Sequence, residues 1–330
     1  MQTARPTLFR PRRRLLRTAV AAAWLAGLAL PALAERPLTL VTAFPPGGGA
    51  DVVARLLAPR LAAALGQPVV VDNRPGASGN LATDLVVRAP ADGSVLLVHN
   101  NTLTINAALS PRPGLDPRRD LAPLAAVAAT PIVVAVHPAL PVKTLAELVD
   151  YGRRHPGQLS YASCGNGTAQ HFAGVQFSQR SGVAMAHIPY KGCAPAVVDG
   201  IGGVVPVLFN TMPNLDAQVR AGKLRYLAVA APARLAQRPE LATVAQTPGL
   251  EGFAASVWFG VFAPARTPPA VRERLERALL AAMDQPALQA EFDARLLTRQ
   301  VMDARTLARQ VEDDLAGFQR LAAQFQIVPD

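Results

Sequence analysis

The stretch Leu38-Thr39-Leu40-Val41-Thr42-Ala43-Phe44-Pro45-Pro46-Gly47-Gly48-Gly49-Ala50-Asp51 changes physical character twice. Leu38–Phe44 is a short apolar run that reads as a strand covered on both faces. Pro45–Ala50 cannot extend it, because prolines withdraw ladder donors and consecutive glycines favour a turn. Asp51 then offers an N-cap for a helix to about Leu65, with Val53, Leu56, Leu57, Leu61 and Leu65 on one face. Pro59 inside it predicts a kink, since it removes one N–H and crowds the preceding turn. Gly66 closes it. Strand, glycine loop and helix in that order are the unit of an α/β fold.

The unit repeats outward. Val69–Val71 is a second strand, followed by Asn73-Arg74-Pro75-Gly76-Ala77-Ser78-Gly79 and a helix to Arg88; Val95–His99 is a third and Ile132–Val136 a fourth. The pattern restarts after His137, where Thr144-Leu145-Ala146-Glu147 forms a capping box. Strands at Leu159–Ala162, Ala184–Pro189, Val204–Phe209 and Leu224–Ala230 alternate with helices at Thr168–Gln179 and Ala194–Ile201. A late strand, Ser256–Phe262, precedes helices at Pro269–Met283, Pro286–Leu297 and Thr306–Phe325. Two restarts of one pattern predict two lobes with mostly parallel sheets. The first lobe comprises residues 35–137 with 256–330 returning to it, the second residues 138–255, joined by a two-strand hinge.

The chain has 330 residues and a net charge of +10, which invites a nucleic-acid partner until the charges are located. Residues 1–34 hold six arginines and no acid, then the apolar run Ala19–Leu30 and Pro31-Ala32-Leu33-Ala34. A basic start, a short apolar core and an A-x-A end describe a secretory signal peptide with cleavage after Ala34. Pro11-Arg12-Arg13-Arg14-Leu15-Leu16-Arg17 also has the look of a twin-arginine signal, so Sec and Tat export both stay open. Cleavage leaves 296 residues at +4 without a basic run, which removes the nucleic-acid reading. The expected location is the periplasm, where an even pair of cysteines is a disulfide candidate before it is a metal site.

Four loops at strand ends carry the chemistry: Phe44–Gly49, Asn73–Asn80, Ser163–Thr168 and Tyr190–Cys193. Ligands of such folds sit outside the carboxyl ends of the strands, where helix N-termini offer unpaired N–H donors and favour an anion. The glycines match neither a P-loop nor a complete G-x-G-x-x-G, which disfavours a nucleotide. Asp51 reads as a structural cap and Arg74 as a clamp between loops. His171 invites pairing with Ser163 or Cys164 as a hydrolase, but no G-x-S-x-G elbow is present, and the expected role is a hydrogen bond to a ligand or a loop. His99, His137, His155 and His187 show no metal-ligand spacing, so neither metal nor cofactor is expected.

Taken in order, Phe44–Asp51, Leu65-Gly66-Gln67-Pro68-Val69-Val70-Val71, Asn73–Gly79, Ala91-Asp92-Gly93, Tyr161-Ala162-Ser163, Gly165-Asn166-Gly167-Thr168, His171, His187–Gly192, Trp258-Phe259-Gly260 and Ala263-Pro264 resemble the substrate-binding receptors of tripartite tricarboxylate transporters, the Bug receptors. The resemblance implies a type II periplasmic binding protein: two α/β lobes, a two-strand hinge and a central cleft that closes on a small carboxylate held by loop backbone donors. It assigns ligand contacts to Phe44, Gly48, Ala50, Asp51, Ser78, Asn80, Asn100 and Thr102 in the first lobe. In the second it assigns Ser163, Gly165, Thr168, Ala169, His171, Tyr190, Gly192 and Asn210. Two departures stand out: Ala50 replaces a usual Thr or Ser, and Pro206 replaces a usual Asp, which predicts an edge or bulge there. Cys164 and Cys193 lie in loops after successive strands, so a disulfide between them is expected if those strands are neighbours.

The reading is therefore a monomeric, non-enzymatic receptor that delivers a small organic anion to transporter subunits in the membrane. The alternatives are a receptor that engages a sensor kinase, a periplasmic hydrolase using Ser163 or Cys164 with His171, and a structural envelope protein.

Overall fold

The computed structural model describes residues 36–109 and 115–325; the expected signal peptide lies outside the described residues. Along the chain run β1 (Leu38–Thr42), α1 (Gly49–Leu65), β2 (Val69–Asn73), α2 (Asn80–Arg88), β3 (Val95–Asn100) and α3 (Thr102–Leu109). Next come β4 (Leu121–Val136), α4 (Leu145–Arg154), β5 (Leu159–Ser163), α5 (Ala169–Ser181), β6 (Met185–Pro189), α6 (Cys193–Ile201) and β7 (Val207–Thr211). The chain continues through α7 (Met212–Arg220), β8 (Arg225–Val229), β9 (Ser256–Pro264), α8 (Pro269–Met283), α9 (Pro286–Asp293), β10 (Thr298–Asp303) and α10 (Ala304–Phe325).

The strands form two sheets that share β4. In the first lobe the order is β2-β1-β3-β9-β4-β10, and in the second β6-β5-β7-β4-β8. β1 pairs in parallel with β2 and β3, and β5 with β6 and β7, as strand–helix alternation requires. The pairs that β4 and β9 make with their neighbours are antiparallel.

β4 is the hinge strand. Its first part pairs with β9 up to Pro131↔Ser256, and from Ile132 it pairs with β7. Ile132 N–H donates to Ala255 O at 2.9 Å, so both chain crossings lie side by side. The chain thus changes sheet at Thr130–Ile132, whereas the boundary expected at residue 137 falls just past the end of β4.

Alternation across the strands explains their unbroken apolar runs. Leu38, Leu40, Leu96 and Val98 face one buried layer, and Val41, Ala43 and Leu97 the other. In β4, Ile132, Val134 and Val136 face the same layer as α4 and α5, while Val133 and Ala135 meet α6 and α7. At roughly 1.5–3 kcal/mol per buried large aliphatic side chain, this two-sided burial outweighs any local preference.

Local expectations are corrected in three places. α1 starts at Gly49 with Gly48 as its N-cap, so Asp51 is the third helical residue; the helix runs on through Pro59 and ends at Gly66, φ 74°. Pro206 lies just ahead of β7, a central strand between β4 and β5, and its carbonyl accepts from His137 N–H at 3.0 Å. It therefore marks a strand start, not an edge or a bulge. Arg74 pairs with Asp72 at 2.8 Å on the surface and clamps nothing. No helix among the described residues is long and apolar enough to cross a membrane.

Candidate functional site

Between the lobes, five helices start at one small chamber. Gly48, Gly49 and Ala50 come from the start of α1, Thr102 from α3, Thr168 and Gln170 from α5, Cys193 and Ala194 from α6, and Thr211 and Asn214 from α7. Phe44, Pro45, Pro46, Asn100, Cys164, Val257 and Phe259 complete the wall. No Asp, Glu, Lys, Arg or His lines it among the described residues. Its cavity volume is about 30 Å³. A water needs ~10–15 Å³ on that measure, so the chamber has room for about two oxygen atoms. The first N–H groups of each helix lack intrahelical acceptors, and each N-terminus carries roughly half a positive charge.

Local chemistry aims these helix ends. Asn100 Oδ1 accepts from Thr102 N–H at 2.9 Å and so caps α3. Thr168 Oγ1 accepts from His171 N–H at 3.3 Å and caps α5. The glycine loop before α1 is held from behind by Asp51, whose Oδ2 accepts from Gly47 N–H at 2.9 Å and whose Oδ1 accepts from Asn73 Nδ2 at 2.9 Å. Arg55 Nε reaches both oxygens at 3.0 Å. Burial opposes ionisation of Asp51, yet Arg55, the Gly47 N–H and Asn73 outweigh it and hold the carboxyl below its ordinary pKa. Asp51 is thus a brace for the loop, and it lines no part of the chamber.

A disulfide joins Cys164 to Cys193 across 29 residues, and both cysteines stand in the chamber wall. It works with Gly192 N–H, which donates to Cys164 O at 3.0 Å, to fix the start of α6 against the loop that precedes α5. The neighbouring strands β5 and β6 make the two loops adjacent.

A larger outer chamber of about 640 Å³ shares Phe44, Pro45 and Cys164 with this inner one. Its walls are mostly apolar, from Phe44, Pro45, Pro75, Ala77, Pro189 and the Tyr190 ring, with Lys191 its one charged residue among those described. Tyr190 Oη donates to Asp199 Oδ2 at 2.6 Å. Burial and that partner push the phenol up to about 12, so it stays neutral. At the rim Ser78 Oγ donates to Asn166 O at 2.6 Å, a bond from one lobe to the other. Ala77 and Ser78 adopt positive φ of 46° and 52°, a strained turn steadied by that bond and by Asn106 Nδ2 on Ser78 O at 2.9 Å. The lobes therefore meet across the mouth.

Of the contacts assigned from sequence, Phe44, Gly48, Ala50, Asn100 and Thr168 line the inner chamber together with Thr102. Ser78, Gly165, Tyr190 and Gly192 line the outer one. Asn80 lines neither, and Ala169 faces a different cavity on the far side of the hinge. Asn210 lies behind the wall, its Oδ1 accepting from Thr211 N–H and from Asn214 Nδ2. Ser163 and His171 are also behind it. Sequence reasoning missed Gln170, Thr211, Asn214, Val257 and Phe259; the first three sit at helix starts, which was the available signal.

The candidate nucleophiles have other partners. Ser163 Oγ is buried and lies 2.7 Å from Nε2 of His187, not of His171. His187 is stacked between Tyr161 at 4.9 Å and His171 at 4.0 Å, ring centroid to centroid. Burial and the neighbouring His171 push His187 down to about 3, so it is neutral. His171 Nδ1 accepts from Gly167 N–H at 3.3 Å, bracing the loop. Cys164 is oxidised in the disulfide and offers no thiolate. No group of three or more His, Cys, Asp or Glu among the described residues could hold a metal.

Comparison with known proteins agrees with this geometry. Residues 53–326 match the family described as the tripartite tricarboxylate transporter family receptor. The chain is 37% identical over 276 residues to Protein BugT of Bordetella pertussis, covering 82% of this chain and 84% of BugT. The solved structure of Rpa4515 from R. palustris with adipate aligns with TM-score 0.86 and 31% identity, over 90% of this chain and 99% of that one. MatC of Rhodopseudomonas palustris with bound malate aligns with TM-score 0.80 and 28% identity, over 87% and 99% of the two chains.

Proposed function

Since the chain belongs to the tripartite tricarboxylate transporter receptor family, we propose that it is a periplasmic receptor that captures a small organic carboxylate and presents it to transporter subunits in the membrane. One observation carries the ligand class: five helix N-termini converge on a chamber of carboxylate size that no charged side chain among the described residues lines. An anion there meets N–H donors fixed before it arrives, so little ordering is left to oppose binding. The inner chamber takes one carboxylate, and the larger outer chamber takes the body of the ligand. Structural relatives bind adipate and malate, which supports that class.

Capture works by lobe closure. A ligand held by α1 and α3 on one side and α5, α6 and α7 on the other binds the closed arrangement better than an open one, and shifts the population by that difference. The Ser78–Asn166 bond belongs to the closed form, which is the form a membrane partner distinguishes. Export through the leader at residues 1–34 supplies the compartment, and the oxidised cysteine pair suits it.

Mass spectrometry of small molecules released when the purified protein is denatured tests this directly. A stoichiometric carboxylate is expected. A stoichiometric neutral or cationic compound would overturn the anion assignment, and turnover of ester substrates would revive the hydrolase.

A further inference from the structure

The hinge has a second face. Along β9, Val257 and Phe259 line the ligand chamber, whereas Ser256 and Trp258 point the opposite way into another cavity. The same alternation occurs where β3 meets α3, with Asn100 and Thr102 in front and Asn101 behind. At the start of α5, Thr168 and Gln170 face the front, while Ala169, Phe172 and Ala173 face the rear. The rear cavity measures about 350 Å³. Small-molecule sites typically occupy ~300–1,000 Å³ and combine an apolar lining with a few polar groups.

This cavity has that size but a mixed lining, in which Asn101, Gln176, Ser256, Gln300, Gln310 and Asp314 stand among aromatic and aliphatic side chains. Phe172 from the second lobe meets Phe318 from the first edge-on at 5.3 Å, and Trp258 and Leu321 extend the apolar surface. Among the described residues, the one charged residue in the wall is Asp314. Its Oδ2 accepts from Trp258 Nε1 at 2.7 Å and its Oδ1 from Gln310 Nε2 at 2.7 Å. No ion pair to a cation balances it among the described residues, and burial, with a smaller contribution from Asp313, raises its pKa above the ordinary value. A half-buried carboxylate fixed by two neutral donors, beside three aromatic rings and with no counter-ion among the described residues, is complementary to a positive charge on an apolar body. Asn101 supplies a further acceptor near the wall, since its buried Oδ1 has no partner while its Nδ2 donates to Ser256 O at 2.8 Å.

We propose that the cavity behind the hinge binds a small organic ammonium ion, with the ammonium on Asp314 and the apolar part against Trp258, Phe172 and Phe318. An occupant touches both lobes and the hinge strand at once. It therefore binds this arrangement of the lobes more tightly than one in which α5 and α10 have moved apart, and it acts on the ligand cleft through the shared walls. The assignment does not depend on what the cleft in front binds.

Trp258 makes the site observable, because its indole N–H contacts Asp314. In the protein labelled with ¹⁵N-tryptophan, the Trp258 indole signal is identified by Trp258→Phe. Benzylammonium is expected to shift it saturably in the millimolar range or better. Neutral benzyl alcohol, of nearly the same shape, is expected to bind at least about tenfold more weakly, and Asp314→Asn to weaken benzylammonium by about tenfold or more. Ala173→Leu, which fills the cavity and leaves the carboxylate in place, is expected to abolish the shift if Asp314→Asn perturbs folding. Equal shifts with the alcohol, an unchanged response in Ala173→Leu, or no saturable shift with benzylammonium would overturn the proposal.

Discussion

The front and rear of the hinge share three walls, β9, the β3–α3 junction and the start of α5, yet their chemistry is opposite. The inner front chamber is lined by the N-terminal residues of five helices and, among the described residues, by no charged side chain. The rear cavity carries, among the described residues, one half-buried carboxylate beside aromatic rings. The difference teaches that the sign of a site is set by which backbone ends face it as much as by side chains. A count of Lys and Arg among the described residues would find none in that inner chamber. Helix direction, fixed by the sheet topology, makes that chamber an anion site.

The front is also the side with a covalent fastener, so cutting it should be the heaviest blow to one side alone. Cys164→Ser with Cys193→Ser removes a link across 29 residues. In the chain-entropy model that lowers unfolding stability by about 3–4 kcal/mol. Urea denaturation of the variant beside the parent checks this, and an unchanged midpoint would show that the bridge contributes nothing.

Next in size is the brace behind the first glycine loop. Asp51→Asn keeps one acceptor but loses the charge that Arg55 and Gly47 N–H hold. Hydrogen bonds to charged groups contribute ~1.5–3 kcal/mol, and about 2 kcal/mol should be lost at neutral pH. The sign with pH is fixed: a carboxylate with a depressed folded pKa stabilises above its unfolded value near 3.8, and that stability fades as pH falls through the folded value. The gap between parent and variant should therefore narrow only in strong acid.

Histidines act in a separate window. Burial holds His99 down to about 4, and burial together with His171 holds His187 down to about 3, so both are neutral in the fold and protonate near 6.5 in the unfolded chain. The unfolded state then binds more protons between about pH 6.5 and 4, and stability falls as pH drops through that range. Each group contributes at most ~1.4 kcal/mol per pH unit. His187→Asn should flatten the slope, and an equally steep profile would contradict the neutral stack.

The architecture was legible in the sequence wherever a strand is buried on both faces, as β1, β3 and the second half of β4 are. It was not legible in Leu121–Thr130, rich in alanine and interrupted by Pro123, whose strand form comes from β9 and β10 on either side. The polar strand β10 was hidden for the same reason. The four glycine loops announced the site, because turns that bring backbone close to a ligand need glycine at positions such as Gly165, φ 134°. The pairing of Ser163 with His187, 24 residues away, was invisible because only the register of β5 against β6 sets it. The N-cap expected at Asp51 lies three residues earlier, at Gly48, since an aspartate in a first turn and one at an N-cap leave the same trace in sequence.

The smallest expected effect is the most pointed. Lys191 is the only charged residue in the outer chamber among those described, and it is exposed. If helix N-termini hold the anion, Lys191→Gln should change affinity by less than about threefold, as exposed single charges usually do. A much larger loss would move the recognition from backbone to side chain.

The central claim is that the inner chamber selects a carboxylate through main-chain donors. Calorimetric titration of a panel that includes adipate and malate, each compared with its neutral primary amide, tests it most directly. Saturable one-to-one binding by at least one carboxylate, with its amide silent, is the predicted result. An amide that binds as tightly as its acid would contradict the claim.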